Sequence, residues 1–139
     1  MFHRILVPVD LTDKSLGAVD LARDLASHSD AEVILLHVIE TIEHVEFEEL
    51  KPFYSRLESS ARKGLQKFAA SFKSNNVKID EALIYGHRTR EIVDYAIANK
   101  VDLIVMASHR IDPGRPGHDW SSISYAVAIL SPCPVLLVK

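Results

Sequence analysis

The chain has one cysteine, no long apolar run and no excess of basic charge, and each absence excludes a class of protein. A single cysteine, Cys133, cannot form a disulfide within the chain. No apolar run approaches the roughly 20 residues that a membrane-spanning helix needs, and the N-terminus lacks a signal-peptide layout. The formal charge of −3, with acids and bases interspersed, disfavours nucleic-acid partners. We therefore expect a cytoplasmic protein that binds neither nucleic acid nor membrane.

Common catalytic and cofactor motifs are also missing. The first apolar run is not followed by the GxGxxG of dinucleotide-binding folds, and there is no GxxxxGK[ST] phosphate loop. The seven histidines include no HExxH motif and no Cys–His cluster with zinc spacing. No nucleophile-elbow motif supports a Ser-His-Asp hydrolase. The sequence therefore predicts no metal site built from histidine or cysteine.

What the sequence does contain is five short apolar runs that alternate with amphipathic stretches. The runs predict buried parallel strands at 4–9, 32–38, 77–85, 101–107 and 134–138. Helical spacing of apolar residues predicts helices at 14–28, about 50–72, about 89–99 and about 122–130. Helices between buried strands imply crossover connections that cover both faces of one sheet. We therefore expect an α/β fold with one open, doubly wound parallel sheet of five strands and four helices, Rossmann-like, in a single domain over residues 1–139.

Thr89 is predicted to cap the third helix. The helical spacing also predicts which side chains of each helix face the core. The inward residues expected are Leu16, Val19, Ala22, Leu25 and Ala26 in the first helix; Leu50, Phe53, Tyr54, Leu57, Ala61, Leu65, Phe68 and Phe72 in the second; Ile92, Val93, Ala96 and Ile97 in the third; and Ile123, Ala126, Val127 and Leu130 in the fourth.

Ligands of open parallel sheets bind beyond the carboxyl ends of the strands, where the strand order reverses. The first predicted strand ends before Asp10, and the fourth ends at Ala107, followed by Ser108 and His109. Two interpretations of Asp10 stay open: its carboxylate bonds nearby backbone amides, or it accepts hydrogen bonds from ligand hydroxyls such as those of a ribose.

Ser121 and Ser122 open the fourth predicted helix, after the long connection ASHRIDPGRPGHDWSS. A helix N-terminus presents unpaired N–H groups and the positive end of the helix dipole, which together attract anions. A serine pair at this position is equally compatible with plain N-capping. The connection is therefore either a phosphate-binding loop or a polar link.

Five segments together resemble the universal stress protein family: ILVPVDLTDKSLGAVDLA, EVILLHVIE, YGHRTREIVDYA, DLIVMASHR and SSISYAVAILSPCPVLLVK. The resemblance covers the whole chain. It implies the strand order 3-2-1-4-5 and a regulatory module of the stress response that acts through an unknown protein partner. It also implies a homodimer paired through the C-terminal strand, which would otherwise expose an apolar edge.

The resemblance implies an adenine-nucleotide site in the crevice between the first and fourth strands. By position in the family it assigns Pro8, Val9 and Asp10 to adenine and ribose, Val38 to adenine through its backbone, Ala107, Ser108 and Arg110 to ribose and phosphates, and Ser121, Ser122 and Ile123 to the phosphates.

The connection after the fourth strand departs from the family pattern. ATP-binding members carry G-x2-G-x9-G-[ST], whereas this chain has Ala107-x2-Arg110-x10-Ser121-Ser122, with all three glycines replaced and one more residue. Arg110 either obstructs the phosphate channel or binds phosphate through its guanidinium. Mg²⁺ would be held through water by Asp112 or Asp119.

Two functions follow from this pattern. One is a cytoplasmic module that binds ATP, ADP or AMP and acts as a dimer. The other is a stress module that binds no nucleotide and acts by protein interaction, with the altered connection closing or repurposing the crevice. The sequence offers no evident general base except Asp10, Asp112 and His109. We therefore expect no catalysis beyond slow ATP hydrolysis.

Overall fold

The computed structural model describes residues 1–109 and 122–139. The elements are β1 (Arg4–Pro8), α1 (Leu16–Ser29), β2 (Glu32–Glu40), α2 (Lys51–Ala70), β3 (Ile79–Gly86), α3 (Arg88–Ala98), β4 (Leu103–Ala107), α4 (Ile123–Leu130) and β5 (Val135–Val138). Short 3₁₀ turns at Asp13–Ser15 and Phe47–Leu50 lead into α1 and α2. Every predicted strand and helix is present, and its ends differ from the prediction by no more than two residues.

The five strands form one parallel sheet in the order β3-β2-β1-β4-β5. β1 lies in the middle, where Leu6 pairs with Ile34 of β2 on one side and with Ile104 of β4 on the other. The chain therefore adds β2 and β3 on one side of β1, and then β4 and β5 on the other side. The predicted order 3-2-1-4-5 is confirmed, and the order reverses between β1 and β4.

Alternate residues of the strands enter two separate buried clusters, one on each face of the sheet. The face covered by α1 and α2 contains Val7, Val33, Leu35, Leu65 and Phe72, and the opposite face, covered by α3 and α4, contains Leu6, Leu36, Ile92, Met106 and Val127. Coverage on both faces explains why β1, β2 and β4 are almost continuously apolar, whereas the edge strand β3 exposes Asp80 and Glu81. Among the described residues, no helix has the length and apolar character needed to span a membrane.

Five side chains predicted to face the core are instead exposed: Leu16, Phe53, Leu57, Ile97 and Leu130. Most of them lie in the first or last turn of their helices. Helical spacing identifies the apolar side of a helix but does not tell which of its residues the neighbouring elements cover.

The predicted cap of α3 is also wrong. The helix begins one residue earlier than expected, with His87 in the capping position and no side-chain hydrogen bond there. Thr89 therefore lies inside the first turn, where its hydroxyl is not placed to cap the helix.

The two leucines of α2 provide a matched test of this packing. Leu65 is 1% exposed, whereas Leu57, two turns earlier, is 38% exposed. We expect Leu65→Ala to lower the free energy of unfolding by about 2–5 kcal/mol. Leu57→Ala should cost less than about 1 kcal/mol, because much of that side chain is already solvated. Urea denaturation measures both values, and equal costs would contradict the described orientation of α2.

Candidate functional site

A cavity of about 430 Å³ opens at the carboxyl ends of β1 and β4. The strand ends form its floor, and the turn after β1 and the first turns of α3 and α4 form its walls. Strand order reverses here, so the two flanking connections diverge and leave a crevice. The volume falls within the range of roughly 300–1,000 Å³ typical of small-molecule sites.

The cavity brings together eight of the ten residues that the sequence assigned to a ligand site. They are Pro8, Val9, Asp10, Val38, Ala107, Ser108, Ser122 and Ile123. The other two residues of the ten, Arg110 and Ser121, lie outside the described residues. The same holds for the proposed Mg²⁺ residues Asp112 and Asp119. For all ten residues, contact with a ligand stays a prediction.

Asp10 organises the turn that leaves β1. Its Oδ1 atom accepts hydrogen bonds from the Thr12 amide at 2.9 Å, the Thr12 hydroxyl at 2.7 Å and the Ser15 hydroxyl at 2.9 Å. Within residues 1–109 and 122–139, no donor is hydrogen-bonded to the second carboxylate oxygen, Oδ2. The two interpretations of Asp10 are therefore compatible, because one oxygen holds the turn and the other is left for a ligand.

The same hydrogen bonds set the charge state of Asp10. Partial burial acts to raise the pKa of this carboxyl group, but the hydrogen bonds from Thr12 and Ser15, together with the charge of Lys14, lower it more. The net pKa lies below the ordinary value of 3.8. The group is consequently a carboxylate, and an acceptor only, at neutral pH.

Leu11 continues this turn in a left-handed conformation, with φ of 67°. Such a conformation is strained for a residue with a branched side chain. The Leu11 side chain packs against Gly64 of α2, where a Cβ atom would lie 3.0 Å from Leu11 Cδ2. The absence of a side chain at Gly64 thus permits the close approach of Leu11, the residue that follows Asp10 in this turn.

Three serine hydroxyls connect the end of β4 to the start of α4. Ser124 Oγ lies 3.2 Å from Ser108 Oγ and 3.1 Å from Ser122 Oγ. Ser122 caps α4 by accepting from the Tyr125 amide at 3.4 Å. Capping by Ser122 is confirmed, while the amides of Ile123 and Ser124 have no acceptor within the helix. Ser124 was missed from the sequence, because its contact with Ser108 depends on how α4 approaches β4.

The exit of β4 is held by a second set of contacts. The His109 carbonyl accepts from the Tyr125 hydroxyl at 2.9 Å and from the Lys139 ammonium at 3.2 Å, and Lys139 also donates to the Tyr125 hydroxyl at 2.7 Å. The Lys139 amine lies 4.8 Å from the centre of the Tyr125 ring. The end of β5 thereby fixes His109, which lines the cavity.

Sequence reasoning also missed three charged or ionisable residues on the cavity wall: Lys14, His37 and Arg88. His37 Nδ1 donates to the Val9 carbonyl at 2.8 Å. Arg88 Nε is 3.2 Å from a carboxylate oxygen of Glu40. No motif marks these residues, since they come from three elements that meet only in the folded chain. The described residues include no cluster of His, Cys, Asp or Glu arranged to hold a metal ion.

Comparison with known sequences gives one family. The profile of the universal stress protein family matches residues 1–139. Universal stress protein MJ0531 of Methanocaldococcus jannaschii is 30% identical over the whole of this chain and 83% of its own length. Universal stress protein YxiE of Bacillus subtilis is 29% identical over the full length of both chains.

Comparison with solved structures gives the same fold. The structure of hypothetical protein MJ0577 has a TM-score of 0.80 and 26% identity, and covers all of this chain and 96% of that one. A universal stress protein solved in complex with cAMP has a TM-score of 0.72 and 24% identity, over 99% and 97% of the two chains. An Arabidopsis thaliana family protein with AMP bound has a TM-score of 0.71 and 18% identity, over 99% and 91%.

The Asp10 turn should make stability depend on pH in one direction. The folded pKa of Asp10 lies below the unfolded value, so the carboxylate stabilises the fold above about pH 4, and this contribution is lost as pH falls through the folded pKa. We expect Asp10→Asn to lower the free energy of unfolding by about 1 kcal/mol at pH 7, and by progressively less below pH 4.

Urea titrations at several pH values measure this difference. Ser15→Ala removes one donor to the carboxylate, so it should shift the loss of the Asp10 contribution to higher pH. A difference between the original chain and Asp10→Asn that stays constant from pH 7 to pH 2 would contradict the assignment.

Proposed function

The chain belongs to the universal stress protein family, and we propose that it binds an adenine nucleotide in the cavity between β1 and β4. One observation carries this proposal. The cavity places a carboxylate with an available oxygen, Asp10, and a helix N-terminus capped by Ser122 on the walls of the same crevice. A nucleoside phosphate needs an acceptor for its ribose hydroxyls and donors for its phosphate, and these two features supply both kinds of group.

The apolar part of the cavity suits the base. Val9, Val38 and Met106 are buried beneath it, and Ile92 lines the side formed by α3. A flat heterocycle gains from contact with such a surface, while its polar edge needs backbone partners, for which Val38 is the assigned residue. Asp10 Oδ2 would then accept from a ribose hydroxyl.

The phosphate end would lie at α4. The amides of Ile123 and Ser124, the Ser122 hydroxyl and the positive end of the helix dipole all favour an anion. Lys14 lines the cavity as well and adds positive charge.

Structures of the same fold hold AMP and cAMP, which supports an adenine nucleotide as the class of ligand. We infer from family membership that the protein acts in the cytoplasm as a regulatory module of the stress response. ATP, with Mg²⁺ held through water, is the form that the family resemblance suggests. We expect at most slow ATP hydrolysis, with Asp10 and His109 as the candidate general bases among the residues that line the cavity.

A second function is favoured by the replaced glycines. Ala107 and Arg110 stand where ATP-binding family members have glycine, and side chains there leave less room for phosphate. In this alternative the protein binds no nucleotide and acts by protein interaction alone.

Calorimetry with AMP, ADP and ATP separates the two functions. We expect binding by the original chain and at least about tenfold weaker binding by Ser122→Ala and by Asp10→Asn, since each removes a polar contact with the ligand. Asp10→Asn retains an oxygen that can accept from Thr12 and Ser15.

Ser27→Ala and Asp24→Asn, on the outer side of α1, are the matched controls and should bind as the original chain does. Absence of binding at millimolar concentrations of all three nucleotides would eliminate the first function and leave the second.

We further propose a homodimer that forms through β5. This strand pairs with β4 on one side and lies at the edge of the sheet. Leu136 of β5 is 41% exposed, and Ile129 and Leu130 at the end of α4 are 83% and 60% exposed. A free edge beside exposed apolar side chains is a surface that soluble proteins usually cover.

Leu136→Lys should convert this dimer to a monomer, because it places a charge in the proposed interface. Light scattering at micromolar concentration should give twice the chain mass for the original protein and the single-chain mass for the variant. Leu16→Lys introduces the same charge at an exposed leucine of α1 and should leave the dimer intact. A monomeric original chain would refute the proposal.

A further inference from the structure

Residues 40–50, which connect β2 to α2, form a strongly acidic segment. Their sequence, ETIEHVEFEEL, contains five glutamates and no lysine or arginine. Residues 40–49 are all exposed. We call this stretch the acidic segment. It lies far along the sheet from β5, since β3 and β5 are opposite edges.

The acidic segment also exposes apolar side chains, which are uncommon in flexible acidic linkers. Ile42, Val45 and Phe47 are 48%, 38% and 43% exposed. Phe53 and Leu57, in the first two turns of α2, are exposed to a similar degree. We call these five residues the apolar patch. Phe47 and Phe53 both lie beside the Tyr54 ring, and exposed apolar side chains within a polar surround are typical of protein interaction sites.

The apolar patch is built on a rigid support. Phe47 stacks on the Tyr54 ring with centroids 4.9 Å apart and an interplanar angle of 6°, and meets the edge of Tyr85 at 5.5 Å. The buried Tyr54 hydroxyl accepts from the Ile42 amide at 2.9 Å. Phe47 and Ile42 are thus held in place before any partner arrives, which reduces the entropy lost on binding.

The carboxylates around the patch lack cationic partners in the described part of the chain. Glu43 has only its neighbour His44 within reach, at 3.9 Å, and Glu46, Glu48 and Glu49 have no ion pair there. At the two borders, by contrast, Glu40 pairs with Arg88 and Glu58 with Arg62. The acidic segment itself therefore carries unpaired negative charge, although α2 contributes two exposed cations nearby, Lys51 and Arg56.

We propose that the acidic segment and the apolar patch together form a docking surface for a basic amphipathic helix of a partner protein. Apolar side chains of that helix contact Phe47 and its neighbours, and its lysines and arginines pair with the surrounding glutamates. A second copy of this chain is a poor occupant, because a symmetric contact would place glutamates against glutamates. An anionic membrane is repelled for the same reason.

The proposal rests on the inferred action through a protein partner, and it is tested without knowing that partner. The probe is a fluorescent helical peptide of leucine and lysine in amphipathic spacing, measured by anisotropy at an ionic strength of about 0.15 M. A scrambled peptide of the same composition controls for charge alone. We expect the amphipathic peptide to bind at least about tenfold more tightly than the scrambled one.

Charge-reversing variants locate the surface. Glu46→Lys/Glu49→Lys should weaken peptide binding by about tenfold or more, whereas Asp24→Lys/Asp94→Lys makes the same change in net charge on α1 and α3 and should alter it by less than about twofold. Phe53→Ser should weaken binding while leaving the acidic charge unchanged. Equal losses in both charge variants, or equal binding of both peptides, would overturn the proposal.

Two further measurements distinguish this surface from other occupants and from the nucleotide site. Calorimetry with AMP should give the same affinity in the original chain and in Glu46→Lys/Glu49→Lys, so failure of either proposal leaves the other testable. Sedimentation should show the same oligomeric state in both proteins. Loss of self-association in the charge variant would identify a second copy as the occupant and overturn the proposal.

Discussion

The pairing of β1 with β2 on one side and with β4 on the other is the constraint on which the rest of the structure depends. Because all strands are parallel, each connection must cross over the sheet, and connections that build in opposite directions cover opposite faces. The connections after β1 and β4 therefore lead away from each other. The cavity between Asp10 and Ser122 is the space that this divergence leaves open.

The fold follows closely from local sequence patterns, because buried parallel strands and amphipathic helices have distinct periods. Helix ends are the exception. Leu16 and Leu130 continue an apolar stripe but remain exposed in the first turn of α1 and the last turn of α4. Thr89 has the chemistry of a cap but not the position, since α3 begins with Arg88. Such errors arise because residue type is local, while the extent of packing is set by the neighbouring elements.

The residues of the candidate site also differ in whether the local sequence could identify them. Asp10 and Ser122 were identifiable because a polar residue after a buried strand, or before an apolar helix, is a local signal. Ser124, His37 and Arg88 carry no such signal and reach the cavity through tertiary contacts, with Ser108, the Val9 carbonyl and Glu40 respectively. Family resemblance supplied the assignment of Val38, which its apolar side chain alone would not have suggested.

The contact between Leu11 and Gly64 has a consequence for protein engineering. Gly64 lies within a helix, where replacement by alanine ordinarily stabilises a protein by about 0.5–1 kcal/mol. Here the added methyl group would lie 3.0 Å from Leu11 Cδ2 and 3.3 Å from Leu11 Cβ. Leu11 has little freedom to retreat, because the Asp10 turn fixes its backbone. A routine thermostabilising substitution at position 64 would thus displace Leu11, the residue next to Asp10, so its cost is felt in the turn after β1 rather than in α2 alone.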